Sequence, residues 1–392
     1  MIKMNIVFAY PTGLNPQKGG VERITDIIAK ILLKRGYTIF YLNWKREQDN
    51  YEYPVPVIDL PSSNLEDPNN LEVYNRFLKE NRIDVIINQH GLYEGTYFLS
   101  QVKVQNVKII SVLHSDPFGY YNHLFADLMT LRDSSIKEKV KRVARFFLYR
   151  KVKKIIHRSL VNHYTFIQEH PQYVCLLSES YKERLEEYCD LPDNYFISIP
   201  NPNTYENIEI IPHKEPILLF VGRLDNRSKK LFTLIDIWYR LCKLYPQWKL
   251  IIVGDGPDVG IYKSLVKSEN IKNVYFEGST NSPEYYFNQS TVVCLTSESE
   301  GFPMVLIEGM KYGCIPICYD SFSAVDDIID DGVNGYVIPF NKQNEYICKL
   351  RYLMSLDDTS LCYMRNNAIK KSELYDINKV VFEWEKLFNE LI

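Results

Sequence analysis

Short apolar runs alternate with amphipathic stretches along the chain, the grammar of an α/β protein with parallel sheets. In the first half, strands are predicted at 5–10 (NIVFAY), 37–43, 55–60, 84–89, 108–114 and 173–178, with helical segments between them. The first helix runs from about Val21 to Lys34 and ends ahead of Gly36. A polar stretch, Ile199-Pro200-Asn201-Pro202-Asn203-Thr204, then breaks the pattern, and irregular composition continues from Ile208 to Pro216. The same grammar restarts with strands at 217–222, 249–254, 273–278, 291–296 and 314–320. Helices are predicted at about 230–244, 259–269, 303–312 and 324–330, and residues 341–392 read as helices rich in Leu, Tyr and Lys. The expected fold is therefore α/β, with two Rossmann-like domains, 1–200 and 201–375, facing each other across a ligand-binding cleft. Residues 376–392 form a last helix that can pack back on the first domain.

Composition narrows the function classes. At 392 residues the chain is long enough for two domains, each burying roughly 70% of its unfolded surface. A formal net charge of −3 excludes a globally basic nucleic-acid binder. Thirty tyrosines suit sugar-contacting or interfacial surfaces, although a biased genome would explain them as well. The eight cysteines (175, 189, 242, 294, 314, 318, 348 and 362) are scattered without a C-x-x-C pair, which predicts reduced, buried thiols. MIKMNIVFAY leads straight into a strand without a signal-peptide layout, and no apolar run nears the ~18 residues of a membrane span, so a cytoplasmic protein is expected.

The densest chemical signal lies between Ser297 and Met310. A strand ends at Thr296 and a polar loop carries Glu300 and Gly301-Phe302; Pro303 suits the first turn of a helix, and Glu308 lies inside that helix. The N–H groups near Met304 and Val305 offer an anion site at the helix start. Two carboxylates flanking such a start suit a ligand with hydroxyls at both ends and phosphates between, the shape of a nucleotide sugar. The bland alternative is an acidic loop and a stray Glu308 among Val305, Leu306, Ile307 and Met310, where an unpaired carboxylate is costly. Upstream, Gly222-Arg223-Leu224 closes a strand, and Lys229 and Lys230 precede a helix, where positive charge is unfavourable unless an anion sits there. A departing diphosphate needs such fixed cations, Arg for planar bidentate contacts and Lys as a point charge. No Asp-x-Asp occurs, so no essential metal and no other cofactor is expected.

Gly254-Asp255-Gly256-Pro257 and Phe276-Glu277-Gly278 follow two further strands at the edge where open α/β sheets bind ligands. In the first half, Gly19-Gly20 joins a loop to a helix start, and His114 closes the strand at 108–114. A satisfied structural histidine is the other reading of His114, His90 is a second strand-end candidate, and His170 and His213 read as loop residues.

Glu300 and Glu308, with Gly301-Phe302 between them, resemble the E-x7-E signature of glycosyltransferase family 4, retaining enzymes of the GT-B fold. The resemblance implies that Glu300 contacts donor-sugar hydroxyls and that Glu308 holds the ribose. It extends to an arginine–lysine pair at Arg223 and Lys229. Many members have glycine after that lysine where this chain has Lys230, so the register between Lys229 and Lys230 stays open. Gly254, Gly256 and Gly278 match glycine elements lining the base and ribose pocket, Gly19 and Gly20 the glycine-rich loop near donor phosphates and acceptor, and His114 the histidine that contacts the donor sugar. With Gly301, Phe302, Pro303, Met304 and Val305 these form the expected donor site, and Glu300, His114, Arg223 and Lys229 its catalytic groups. The implied reaction is front-face, the donor phosphate helping to deprotonate the acceptor, within surface polysaccharide assembly. Two rivals are a nucleotide-sugar epimerase on the same fold, which turns over donor without acceptor, and a non-catalytic nucleotide-sugar scaffold.

From Lys137 to Arg158 the chain carries ten Lys or Arg and one acidic residue, Glu138, interspersed with Val140, Val143, Phe146, Phe147, Leu148, Val152 and Ile155. Two readings stand: a basic amphipathic helix docking on anionic lipid at the inner face of the plasma membrane, or a solvated outer helix with its apolar face in the core. The first would make a lipid-linked acceptor the natural partner.

Overall fold

The computed structural model describes residues 3–45, 50–91, 94–117, 136–170, 172–186, 195–206 and 208–391. The chain divides into two compact units, one of Met1–Pro200 with Val381–Ile392, the other of Asn201–Val380.

The first unit holds seven parallel strands: β1 Asn5–Ala9, β2 Thr38–Asn43, β3 Val57–Asp59, β4 Val85–Asn88, β5 Lys108–Val112, β6 Gln172–Leu176 and β7 Phe196–Ser198. Their order is β3-β2-β1-β4-β5-β6-β7. Helices α1 Gly20–Lys34, α2 Pro68–Glu80, α3 Glu94–Leu99, α4 Ile136–Glu169 and α5 Ser180–Glu186 link them. Ile24, Ile28 and Leu32 recur every four residues on α1 and are buried, the spacing that brings side chains onto one helical face. Asp67 caps α2 by accepting from the Asn69 N–H at 3.0 Å, with Pro68 in the first turn where its missing donor costs nothing. Val7, Leu42, Tyr74, Ile86 and Phe98 form the core on one face of this sheet.

The second unit holds β8 Glu215–Val221, β9 Lys249–Val253, β10 Val274–Gly278, β11 Ser290–Leu295, β12 Ile315–Asp320 and β13 Tyr336–Pro339, all parallel, in the order β10-β9-β8-β11-β12-β13. Its helices are α6 Leu231–Leu241, α7 Val259–Ser268, α8 Glu284–Gln289, α9 Met304–Lys311, α10 Val325–Ile328, α11 Gln343–Ser355 and α12 Asp358–Ser372. Trp238, Leu250, Ile252, Ile317 and Tyr346 centre its core, and the Trp238 indole donates to Lys272 O at 2.9 Å.

The last helix, α13 Ile377–Glu390, leaves the second unit and packs in the first. Arg35, at the end of α1, pairs with buried Glu385, and Tyr37 lies 5.9 Å from Phe388, ring centre to ring centre.

Several expected elements shift or were missing from the prediction. β7, β13 and α8 are short, and three to six residues carry too little period to announce themselves. Strand β5 stops at Val112, so His114 stands two residues beyond it, and α9 begins at Met304 with Pro303 as its N-cap. Cys175, Cys242, Cys294, Cys314 and Cys318 are buried free thiols; Cys348 and Cys362 are exposed, against expectation, because they lie on outward faces of α11 and α12. Cys189 lies outside the described residues.

Candidate functional site

In the second unit, β10, β9, β8 and β11 are neighbours; the loops leaving the carboxyl ends of β9, β8 and β11 each carry a predicted motif, and Phe276-Glu277-Gly278 closes β10 itself. Strand order reverses between β8 and β11, the switch point at which open α/β sheets bind ligands. There Lys229 Nζ donates to Glu300 Oε1 at 2.5 Å. Beside this pair, Lys230 pairs with buried Glu298. Backbone ties hold the two loops in register: the Glu298 N–H donates to Ser228 O at 2.9 Å, and Thr296 Oγ1 donates to Lys229 O at 3.0 Å.

Adjacent cations at this helix start do not by themselves require a bound anion, because each meets a carboxylate of the protein. Lys230 has φ +50°, the left-handed region where an L side chain costs about 1–2 kcal/mol and glycine costs nothing. A glycine-favouring position immediately after Lys229 fits the register in which Lys229 is the motif lysine.

Arg223 is exposed at the end of β8. The turns around it are stitched together: Gly222 N–H donates to Val253 O at 3.0 Å, Leu224 N–H to Asp255 O at 2.9 Å, and Gly254 N–H to Gly278 O at 2.7 Å. Gly254 has φ +136°, and a Cβ there would stand 1.9 Å from Gly222 O; at Gly256 it would stand 2.5 Å from Leu224 O. Close approach of two turns therefore requires these glycines before any ligand is considered.

Around α9, Phe302 is buried edge-on against Tyr375, ring centres 5.4 Å apart, so its backbone rather than its ring is available to a ligand. Leu306 N–H donates to Pro303 O at 3.0 Å, while Met304 and Val305 are half-buried in the first turn. Glu308 is buried and accepts a hydrogen bond from Thr204 Oγ1 at 2.7 Å. Asn203 Nδ2 donates to Ile307 O at 2.7 Å, and the Asn203 N–H donates to Tyr375 O at 2.7 Å. The segment that reads as a linker thus braces α9 and its carboxylate. Asn203 and Thr204 were missed because Pro-Asn-Pro-Asn-Thr carries the composition of a connection.

In the first unit, Gly19 caps α1 in an extended conformation, and Gly20 opens the helix. A Cβ on Gly19 would come 2.4 Å from Glu22 Oε2. Burial pushes the Glu22 carboxyl pKa up, opposed by its own backbone N–H and by Lys18. The helix start read as an anion site therefore already faces a carboxyl group. His114 is half-buried, and its Nε2–H donates to Gln89 Oε1 at 2.5 Å, an oxygen that can only accept. Burial lowers its pKa to about 4, so the ring is neutral at pH 7 with Nδ1 as acceptor. Gln89, which sets this tautomer, went unremarked in the sequence. His90 is lowered to about 4 mainly by burial, with Glu94 raising and Lys45 lowering it, and its ring packs edge-on to Tyr10 at 6.0 Å. His170 stacks on Phe166 at 4.0 Å, and His213 borders a cavity of about 560 Å³ whose lining includes none of the predicted residues.

Residues 203–372 match the family model described as Glycosyl transferases group 1. The second unit is similar to group 1 glycosyltransferase domains. An uncharacterized glycosyltransferase of Haemophilus influenzae is 32% identical over 194 residues, 49% of this chain and 54% of that one. A Campylobacter jejuni protein, GalNAc-alpha-(1->4)-GalNAc-alpha-(1->3)-diNAcBac-PP-undecaprenol alpha-1,4-N-acetyl-D-galactosaminyltransferase, is 29% identical over 178 residues, 45% of this chain and 49% of that one. The chain thus spans about half the length of the curated relatives it matches. Over 99% of this chain and all of the other, the fold is similar to Anabaena HepE, solved in complex with UDP-glucose, with TM-score 0.72 at 16% identity. The fold is GT-B, with a Rossmann-like sheet in each unit. The glycosyltransferase match covers nearly all of the second unit, and every predicted donor motif downstream of Gly222 falls within it.

Proposed function

We propose that the protein is a retaining, family 4-like glycosyltransferase that moves a sugar from a UDP- or GDP-linked donor to a hydroxyl of a glycan or lipid-linked acceptor in surface polysaccharide assembly. The observation that carries this reading is the meeting of Lys229 and Glu300 at the β8/β11 switch point, with Arg223 on the same strand end. HepE's bound UDP-glucose makes UDP the first base to test, and the undecaprenol-linked substrate in the Campylobacter relative's name supports a lipid-linked acceptor.

In this reading Arg223 and Lys229 neutralise the charge that grows on the diphosphate as the glycosidic bond breaks, without a metal ion. Glu300 holds Lys229 in place before the donor arrives and accepts from donor-sugar hydroxyls once it is bound. Glu308 receives the ribose hydroxyls, kept in position by Thr204. Neutral His114 offers Nδ1 to the donor sugar, its tautomer set by Gln89. The donor phosphate takes the acceptor proton, so no protein base is required.

A thermal-shift panel of UDP, GDP, ADP and their sugar conjugates tests the reading on wild type and Glu308→Ala. Ligand at a hundred times its dissociation constant stabilises by about 2.7 kcal/mol, a visible shift. One nucleotide family should stabilise wild type and lose its effect in Glu308→Ala. No shift with any nucleotide overturns the donor site; donor turnover without acceptor would indicate an epimerase, and binding without hydrolysis or transfer a scaffold.

A further inference from the structure

Helix α4 is held in the first unit by its carboxyl-terminal part, where Tyr164 and Ile167 are buried and His163 bonds Gly91 O at 2.9 Å through Nε2. Its amino-terminal part is different. Val140, Val143, Phe146, Phe147, Leu148 and Ile155 are 63, 56, 55, 78, 51 and 58% exposed. The expectation that these residues turn an apolar face into the core is therefore wrong for this stretch. At 100° per residue, Val140, Val143, Phe147, Leu148 and Ile155 fall within an arc of about 140°, while Phe146 lies off it, about 160° from Leu148. Side chains on several sides of the helix lie open to solvent.

Charge says what covers them. From Lys139 to Arg158 the sequence has nine Lys or Arg and no Asp or Glu. The rest of the chain then carries 37 basic against 49 acidic residues, so it is net acidic outside this stretch. A nucleic-acid duplex would answer the cations through its phosphates but offers no apolar surface to the exposed Phe147, Leu148 and Ile155. An apolar groove on a protein would answer those side chains but not nine cations. The headgroup region of an anionic bilayer answers both, with phosphates for Lys and Arg and acyl chains for the apolar side chains.

We propose that residues 139–158 of α4 are a membrane-docking element that binds anionic lipid surfaces, with Phe147 and Leu148 entering the acyl boundary. This goes beyond the transferase reading and does not depend on it.

The test is co-sedimentation of the full chain with phosphatidylcholine vesicles containing or lacking phosphatidylglycerol. Binding should need phosphatidylglycerol and weaken as salt screens it. Each Lys→Gln change at Lys151 or Lys154 should lower the partition coefficient about fivefold. Phe147→Ser should lower it on the order of tenfold while the melting temperature holds, since the ring is exposed in the free protein. Equal binding to both vesicles, no binding, or binding indifferent to Phe147→Ser overturns the proposal. So does concentration-dependent self-association that Phe147→Ser abolishes, because the occupant is then a second copy.

Discussion

A φ of +50° at Lys230, beside an ion pair to Glu298, gives that residue two opposed energies: backbone strain of about 1–2 kcal/mol and an attraction of similar size. Lys230→Gly removes both, so its melting temperature should move by no more than about 4 °C and sugar transfer should persist. Lys229→Ala should lower turnover about 100-fold or more, because a fixed cation is removed from where the leaving-group charge develops. Paired steady-state assays decide: activity lost in Lys230→Gly and kept in Lys229→Ala would move the phosphate role one residue along. Gly254→Ala is the harsher change, since its Cβ would meet Gly222 O at 1.9 Å from a backbone conformation L residues avoid. It should cost about 3 kcal/mol or more, read as a lower denaturation midpoint in urea.

At the scale of elements, α13 is fastened to α1 by Arg35 and Glu385. Glu385 is buried and Arg35 is 28% exposed, so breaking the pair costs less than a fully buried one, about 2–3 kcal/mol. Glu385→Ala should lower the melting temperature by about 4–10 °C and open α13 to limited proteolysis, whereas a helix that stays protected would mean that Val381, Trp384 and Phe388 hold it without the ion pair. Helix α9 depends on Asn203 and Thr204 in a comparable way. Thr204→Val leaves the buried Glu308 carboxylate without that hydroxyl, and the nucleotide dissociation constant should rise about tenfold in titration calorimetry.

For the whole molecule, the clearest pH dependence comes from His90 and His114, both lowered to about 4 against 6.5 in the unfolded chain. Above pH 6.5 both states are neutral and pH has no effect through them. As pH falls from 6.5 to 4 the unfolded chain takes up protons that the folded chain refuses, so stability falls, by up to about 3 kcal/mol for each histidine. Urea midpoints at pH 7 and pH 4.5 should differ accordingly, and a His90→Gln, His114→Gln double variant should flatten the difference. An unchanged slope would mean that neither ring is desolvated. No helix among the described residues is long and apolar enough to cross a membrane.

Local pattern was enough for much of this. Continuous apolar runs set the long strands, since a strand covered on both faces must be apolar throughout, and four-residue spacing set the buried side of α1. Strand-end glycines and the Glu300–Glu308 spacing marked the candidate motifs because turns and helix starts are made by neighbours in sequence. Partnerships across long sequence separations were not legible: Lys229 with Glu300, Lys230 with Glu298, Thr204 with Glu308, Gln89 with His114 and Arg35 with Glu385. Each needs strand order and helix packing to bring distant segments together, and no local period encodes which segments those are. The same holds for α4, where one sequence fitted both a buried and an exposed apolar face. The exposure of Val140, Val143, Phe146, Phe147, Leu148 and Ile155 decided between them, because burial belongs to what surrounds a helix rather than to the helix itself.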